Sequence, residues 1–220
     1  EHFRKEVREL DELGELLSED DYFLYRRNRI QETLNGDYVK SIGEKWIGDF
    51  LFEHGIQHVY EKFWFWDHEK AEGAYRPDFS LLINSTRTPD VVIEHWGIDP
   101  DDRSSTVPDY WDITTGDYKS LIVRKREYWA ERNEKNPDQP VILLETSVAD
   151  TINGREFFEN LLRQKIEDLG APLTRLPDEK LIENVVRKRH SRLSGMCLQY
   201  IQKAKKQMLT PALMSERIDD

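Results

Sequence analysis

The sequence predicts an α/β protein in which one mixed sheet is flanked by helices and each end of the chain carries a helical arm. Segments 57–66, 76–84 and 90–96 have the short apolar or alternating patterns typical of strands. A helical period follows over 117–133, and the continuous apolar run at 141–145 is typical of a buried strand. The order helix, three strands, helix, strand, helix implies helices packed around a sheet.

The length of the chain sets the number of domains. Its 220 residues allow one sizeable core with appended helices, but not two domains of average size. We predict an N-terminal helical arm at 1–38, a core at 39–170 and a basic helical segment at 171–220. Residues 1–21 hold nine acids and three bases, whereas 180–206 hold eight Lys or Arg and one acid. Because salt screens charges within about 8 Å, these local charges matter more than the net charge of −11.

The first elements have local signals at their ends. Segment 3–34 has leucines at helical spacing and predicts one or two helices. The turn residues at 35–37 end it. Ser41 followed by Glu44 is a capping-box pattern, and it predicts a helix that Gly55 closes in the C′ position.

The later elements are separated by loops rich in turn residues. Segment 84–89 is such a turn between two strands. Segment 97–116 is polar, acidic and without a pattern, and a loop of that length is usually functional or mobile. Asn153 and Gly154 lead into a helix that ends at Gly170, and a basic helix follows to about residue 209.

The composition excludes several classes of protein. Cys197 is the only cysteine, so neither an internal disulfide nor a cysteine-rich zinc site can form. The histidines lack the H-E-x-x-H spacing of zinc hydrolases, and no phosphate-binding G-x-x-x-x-G-K-[ST] string is present. No apolar run approaches the length of a membrane span, and the N-terminus has no signal-peptide pattern. We therefore expect a soluble cytoplasmic protein.

Two carboxylates lie on consecutive predicted strands. Asp78 follows Pro77, and Glu94 is flanked by apolar and aromatic residues. If the two strands are antiparallel neighbours, the two acids sit side by side. Alternation also puts Glu94 and Trp96 on one face and His95 on the other. Asp78, Glu94 and the backbone carbonyl of His95 would supply oxygen ligands suited to Mg²⁺ or Mn²⁺, which can activate water against a phosphodiester.

A lysine on the following helix is a candidate partner for these acids. On a helical wheel Lys125 falls in the middle of the apolar stripe, whereas Lys119 lies about 120° from its centre. An inward ammonium needs a carboxylate opposite it, and Asp78 and Glu94 are the natural partners. The alternative is a buried ion-pair network that only holds helix to sheet. Glu44 could be a third or outer ligand, but its capping-box role explains it equally well.

These motifs together resemble the PD-(D/E)XK nuclease superfamily, which has a restriction-endonuclease-like α-β-β-β-α-β core, here over about 41–169. More closely, the chain is similar to the nuclease module inserted in some UvrD-like superfamily 1 helicases. The strings that carry this closer resemblance are Ser41-x-x-Glu44, 49–56, Tyr60-Glu61, Tyr75-Arg76-Pro77-Asp78-Phe79, Ile93-Glu94-His95-Trp96-Gly97, Lys125-Arg126 and Leu144-Glu145-Thr146. The sequence departs from the superfamily pattern at Trp96, where a lysine is expected. In the superfamily that lysine can move to the neighbouring helix.

The resemblance implies a Mg²⁺- or Mn²⁺-dependent deoxyribonuclease with Asp78, Glu94 and Lys125 as catalytic residues. It also implies DNA as substrate, and a helicase motor on the same or a partner polypeptide, in DNA repair or defence. The basic C-terminal helix would contact phosphates or dock on the motor. The candidate DNA-binding residues on it are Arg187, Lys188, Arg189 and Arg192. Two alternatives remain: an inactive nuclease fold used for DNA binding or scaffolding, and an interaction module whose acidic and basic arms pair.

Overall fold

A computed structural model describes most of the chain and divides it into two compact units, residues 1–175 and 176–220. The described residues are 31–62, 75–84, 88–109, 111–170 and 173–206.

The first unit alternates strands and helices around one main sheet. In chain order its elements are β1 (Gln31–Glu32), β2 (Tyr38–Val39), α1 (Ile42–Glu53), β3 (Gln57–Tyr60), β4 (Phe79–Leu82), β5 (Val91–Trp96), α2 (Thr115–Lys135), β6 (Ile142–Ser147), a 3-10 turn (Val148–Thr151) and α3 (Arg155–Glu167). The main sheet has the order β3-β4-β5-β6, in which the first three strands are antiparallel and β6 runs parallel to β5. This mixed four-stranded sheet with flanking helices confirms the predicted α/β class.

The two faces of β5 pack against different helices, as strand alternation predicts. Val91 and Ile93 belong to the largest cluster of buried side chains, which includes residues of α1 and α3. Val92 packs with Trp129 of α2 on the other face. Trp96 packs with Ile122 of α2 on that same face. Glu94 therefore faces α2, and His95 faces α1 and α3.

The register of the sheet brings the two predicted acids together. Phe79 of β4 lies opposite Ile93 of β5 in the antiparallel pair. Asp78 precedes Phe79 and Glu94 follows Ile93, so the same register sets Asp78 beside Glu94 at the end of the ladder. On the other side of β5, Glu94 pairs with Glu145 of the parallel strand β6.

The predicted N-terminal helix is wrong at its C-terminal end. The segment from Gln31 to Val39 forms the two-stranded hairpin β1-β2 instead. Its turn is closed by a hydrogen bond from Thr33 N to Asp37 O (2.9 Å), and Gly36 has a φ of 87°. Leu34 N donates to Asp49 Oδ1 of α1 (2.7 Å), so a contact distant in sequence overrides the local helical pattern. The helices predicted before residue 31 lie outside the described residues.

Other boundaries shift by a few residues. Strands β3 and β4 are shorter than the predicted 57–66 and 76–84, and residues 63–66 lie outside the described part. The loop predicted to lack a pattern contributes Ile98 and Val107 to a buried cluster with Trp96. Helix α2 begins two residues before the predicted 117–133 and ends two residues after it. Strand β6 is not wholly buried, because Ile142 is 41% exposed.

The described part of the second unit is dominated by one long helix, α4 (Asp178–Lys206). Its exposed apolar side chains include Ile182, Val186, Leu193 and Met196. None of the helices in the described part of the chain is long and apolar enough to cross a membrane.

Candidate active site

A cavity of about 650 Å³ in the first unit holds both predicted carboxylates. Its walls come from the N-terminus of α1, the adjacent ends of β4 and β5, the loop after β5, helix α2 and the 3-10 turn. Its lining residues include Lys40, Gly43, Glu44, Asp78, Glu94, His95, Trp96, Trp111, Tyr118 and Lys125. Asp78, Glu94, Lys125 and Glu44, which were identified from the sequence, thus share one cavity.

Asp78 has one carboxylate oxygen engaged by the protein. The backbone N–H of His95 donates to Asp78 Oδ2 at 2.7 Å. Among the described residues, no donor reaches the other oxygen. Burial raises the pKa of Asp78 well above its usual range, and the negative charges of Glu94 and Glu44 raise it further. Because the ionised form of Asp78 is unfavourable in these surroundings, a cation beside the carboxylate would stabilise it.

Glu94 is almost fully buried, at 1% exposed, and both of its oxygens accept hydrogen bonds. Lys125 Nζ donates to Glu94 Oε2 at 2.7 Å. The Tyr75 hydroxyl donates to Oε1. Burial raises the pKa of Glu94, while Lys125 and Tyr75 oppose that shift. Burial and the charge of Glu94 also raise the pKa of Tyr75, so this phenol stays a donor.

Lys125 points inward and meets a carboxylate, the arrangement that the helical wheel predicts. Its ammonium nitrogen also lies 5.1 Å from the Tyr75 ring centroid and 5.2 Å from that of Trp96. Those separations are within the range of cation–π contacts. Lys125 is therefore held between two aromatic rings and Glu94, and its side chain remains 20% exposed.

Trp96, which stands where the superfamily pattern has a lysine, is itself fixed in place. It is 2% exposed, and its Nε1 donates to Glu145 Oε1 at 2.8 Å. Arg126 Nε donates to the same oxygen at 2.8 Å. Glu145 thus pairs with Trp96 and Arg126, and the Trp96 ring lies between Glu145 and the ammonium of Lys125 in this chain of contacts.

Glu44 has the contacts of a helix cap within the cavity. Glu44 N donates to Ser41 Oγ (3.1 Å), and Ser41 Oγ donates to Glu44 Oε1 (3.0 Å). Glu44 Oε2 accepts from Lys40 N (3.1 Å) and from the Tyr60 hydroxyl (2.7 Å). The cap and the Tyr60 hydroxyl together engage both oxygens, and the charge of Glu44 raises the pKa of Asp78.

His95 packs on the face of β5 opposite Glu94. Its Nδ1 lies 2.9 Å from Thr146 Oγ1, and its ring meets the Phe158 ring at a centroid distance of 5.9 Å. Gly43 at the start of α1 makes room for the imidazole, because a Cβ there would lie 2.0 Å from His95 Nε2. The His95 side chain thus packs between the first turn of α1 and the sheet. Its backbone N–H donates to Asp78.

Gly43→Ala is expected to destabilise the fold by about 1–3 kcal/mol, because the added methyl overpacks the His95 ring. Gly116→Ala is the matched control, since a Cβ there meets nothing closer than Thr114 Oγ1 at 3.9 Å. Urea unfolding of both variants measures the difference. Equal stability of the two variants would contradict the tight packing at Gly43.

The donor set is compatible with a hard divalent cation. The described residues contain no group of three His, Cys, Asp or Glu side chains arranged to hold a metal ion. Two carboxylates and a backbone carbonyl, from Asp78, Glu94 and His95, are the donors that fit Mg²⁺ or Mn²⁺. The described lining of the cavity carries three carboxyl groups, of Asp78, Glu94 and Glu44, and two lysines, of which Lys40 is paired with Glu61 and Lys125 with Glu94. A bound cation would stabilise the ionised form of Asp78, which burial and the neighbouring acids disfavour.

The candidate DNA-binding residues all lie on α4 in the second unit. Arg187 and Lys188 are exposed, and Arg187 Nη2 donates to Asn184 Oδ1 at 3.0 Å. The side chains of Arg189 and Arg192 lie outside the described residues.

Three aromatic residues that line the cavity or contact its charged groups were not identified as site residues from the sequence. Tyr75 belongs to the string around Asp78, but nothing in its spacing predicts a bond to Glu94. Trp111 comes from the loop after β5, where no periodicity assigns a face. Tyr118 accepts from Gly97 N at 2.9 Å, although its place on the apolar stripe of α2 predicts only packing.

Comparisons with protein-family models, with curated proteins and with solved structures found no significant match to this chain. Its function therefore has to be inferred from the residues of the cavity.

Proposed function

We propose that this chain is a metal-dependent DNA nuclease domain of the PD-(D/E)XK type. The observation that carries the proposal is the grouping of Asp78, Glu94 and Lys125 in one cavity. The two acids lie at the end of adjacent antiparallel strands, and Lys125 Nζ is 2.7 Å from Glu94. Coupled charges in a cleft are more typical of active sites than of structural ion pairs.

Asp78 and Glu94, with the carbonyl of His95, would hold Mg²⁺ or Mn²⁺. When bound, such an ion supplies Lewis-acid chemistry that makes water nucleophilic and stabilises a leaving oxygen. Lys125 would orient the attacking water or a phosphate oxygen by donating a hydrogen bond from its ammonium group. Tyr75 and Trp96 would hold that ammonium in place.

The element order supports the proposed nuclease core. Helix α1 precedes three antiparallel strands, α2 follows them, and β6 joins the sheet in parallel. The superfamily core that the sequence resembles has the same order. No ATPase motif occurs in the sequence, so a UvrD-like motor would belong to a partner or to another part of the same polypeptide. A lone cysteine is in keeping with a reducing compartment such as the cytoplasm.

A second candidate function is an inactive nuclease fold used for DNA binding or scaffolding. Two observations favour it: both oxygens of Glu94 are already engaged, and Trp96 replaces the expected lysine. Titration calorimetry with Mn²⁺ separates the two candidates. If the nuclease site is active, the wild-type protein should bind Mn²⁺ saturably and Glu94→Ala should not. If the module is inactive, the wild-type protein should show no saturable Mn²⁺ binding.

The proposal is tested by cleavage of DNA with purified protein. We expect Mg²⁺ or Mn²⁺ to support cleavage, a chelator to stop it, and Asp78→Ala to reduce it by more than about a hundredfold. The reason is that even residues that only support metal ligands are worth about 10–100-fold. Asp138→Ala is the control, because that acid is exposed and is not among the residues that line the cavity. Full activity of Asp78→Ala would exclude this site.

A further inference from the structure

The cavity that holds Asp78 and Glu94 also has an aromatic side. Trp111, from the loop after β5, and Tyr118, from α2, both line it. Their ring centroids are 5.4 Å apart and their planes are inclined by 64°, an edge-to-face arrangement. Both rings also pack against the buried cluster that contains Trp96 and Ile122. Neither ring has a part in the proposed hydrolysis, so their cavity-lining surfaces are open to a second role.

Trp111 is held in position by the end of β5. A Cβ at Gly97 would lie 2.1 Å from Trp111 Cη2, so the indole edge rests on the backbone of that glycine. Trp111 N donates to Pro108 O at 3.0 Å, which fixes the loop. Gly97 follows Glu94 by three residues. The aromatic surface is thus anchored to the strand that carries the acid, and Trp111 is only half-buried.

The dimensions of the cavity suit one nucleotide. A cavity of about 650 Å³ lies within the usual size of small-ligand sites, about 300–1000 Å³. A paired base must leave its stack before it can enter such a pocket. An aromatic face binds any unpaired base by stacking, without regard to sequence.

We propose that Trp111 is a stacking platform for an unpaired base of the strand that is cut. The substrate class is then single-stranded DNA, including unpaired strand ends. Cleavage at this position rests on the proposed nuclease function, whereas the stacking itself does not. Lys125, together with a metal at Asp78 and Glu94, would receive the adjacent phosphate, and the base would lie on the indole.

Two probes of equal charge test the stacking. One is fluorescein-labelled hexathymidylate, and the other is a hexamer of the same length with abasic tetrahydrofuran sugars. Binding to the full chain is measured by anisotropy with Ca²⁺ in place of Mg²⁺. We expect the wild-type protein to bind hexathymidylate about tenfold or more tightly than the abasic probe.

The variants then assign that preference to Trp111. Trp111→Ala should remove it by weakening hexathymidylate binding alone, and Trp111→Phe should keep most of it. Phe157 of α3 is 53% exposed and serves as the control. Phe157→Ala should leave the affinity for both probes unchanged. Far-UV circular dichroism checks that each variant is folded.

Three results would overturn the stacking platform: no preference in the wild-type protein, an unchanged preference in Trp111→Ala, or equal weakening of both probes. Failure of the nuclease proposal is a separate outcome. If cleavage needs Asp78 but binding shows no preference for the probe with bases, only the stacking proposal is contradicted. If binding depends on the bases but no metal-dependent cleavage occurs, only the nuclease proposal is contradicted.

Discussion

Glu94→Gln is expected to reduce metal-dependent DNA cleavage by more than about a hundredfold. Loss of a residue that only supports a metal ligand costs about 10–100-fold, and loss of a ligand itself should cost more. The amide keeps the shape of the side chain but loses the charge that would bind the metal. The matched control is Glu145→Gln, because Glu145 lies opposite Glu94 in the parallel strand pair. An amide oxygen at position 145 can still accept from Trp96, so that variant should lose less than about tenfold in rate.

Initial rates on a labelled oligonucleotide and Mn²⁺ calorimetry give the comparison between these variants. Glu94→Gln should lose saturable Mn²⁺ binding along with activity. Its fold should persist, because the amide oxygen can still accept the hydrogen bond from Lys125. The site assignment is wrong if the two variants have equal activity, or if Glu94→Gln binds Mn²⁺ as the wild-type protein does.

Lys125→Met is expected to reduce the cleavage rate by about 10²–10³-fold, the usual cost of losing one donor that stabilises developing charge. Saturable Mn²⁺ binding should survive in this variant, since Lys125 is not a ligand. The charge of Lys125 holds down the pKa of Glu94, so its removal raises that pKa further. Binding of the metal needs the ionised acid. As the pH is lowered, the affinity for Mn²⁺ should therefore begin to fall at a higher pH in this variant than in the wild-type protein.

Variants of Trp96 show whether the aromatic rings position Lys125. Trp96→Phe keeps a ring face beside the ammonium, although it loses the hydrogen bond to Glu145 and part of the buried indole volume. It should therefore retain more activity than Trp96→Leu, which has no ring. The measurement is kcat at saturating DNA for folded variants. A Lys125→Met variant with wild-type kcat would show that the lysine has only a structural role.

The central pair of the site was predictable because regular periods determine it. Alternation along β5 and an antiparallel neighbour are enough to set Asp78 beside Glu94. The 100° period of α2, a helix of 21 residues, is long enough to turn Lys125 inward. Both inferences use local sequence together with a single assumption about which elements are neighbours.

The rest of the site depends on contacts that have no period. Tyr75 meets Glu94 from a segment with a single bridge residue, and Trp111 reaches the cavity from a loop. The hairpin before α1 forms where Asp49 accepts the Leu34 N–H, a contact between residues fifteen positions apart. Secondary-structure propensity and hydrophobic pattern do not predict such long-range contacts, because the position of the partner residue is known only from the folded structure.

The central claim is that Asp78 and Glu94 jointly bind a divalent metal ion. A crystal structure of the wild-type chain soaked in Mn²⁺, with anomalous diffraction, tests it most directly. We predict an anomalous peak between the two carboxylates, about 2 Å from an oxygen of each, with Lys125 within hydrogen-bond reach. No peak at saturating Mn²⁺, with the Lys125 to Glu94 bond intact, would contradict a metal-dependent nuclease site here.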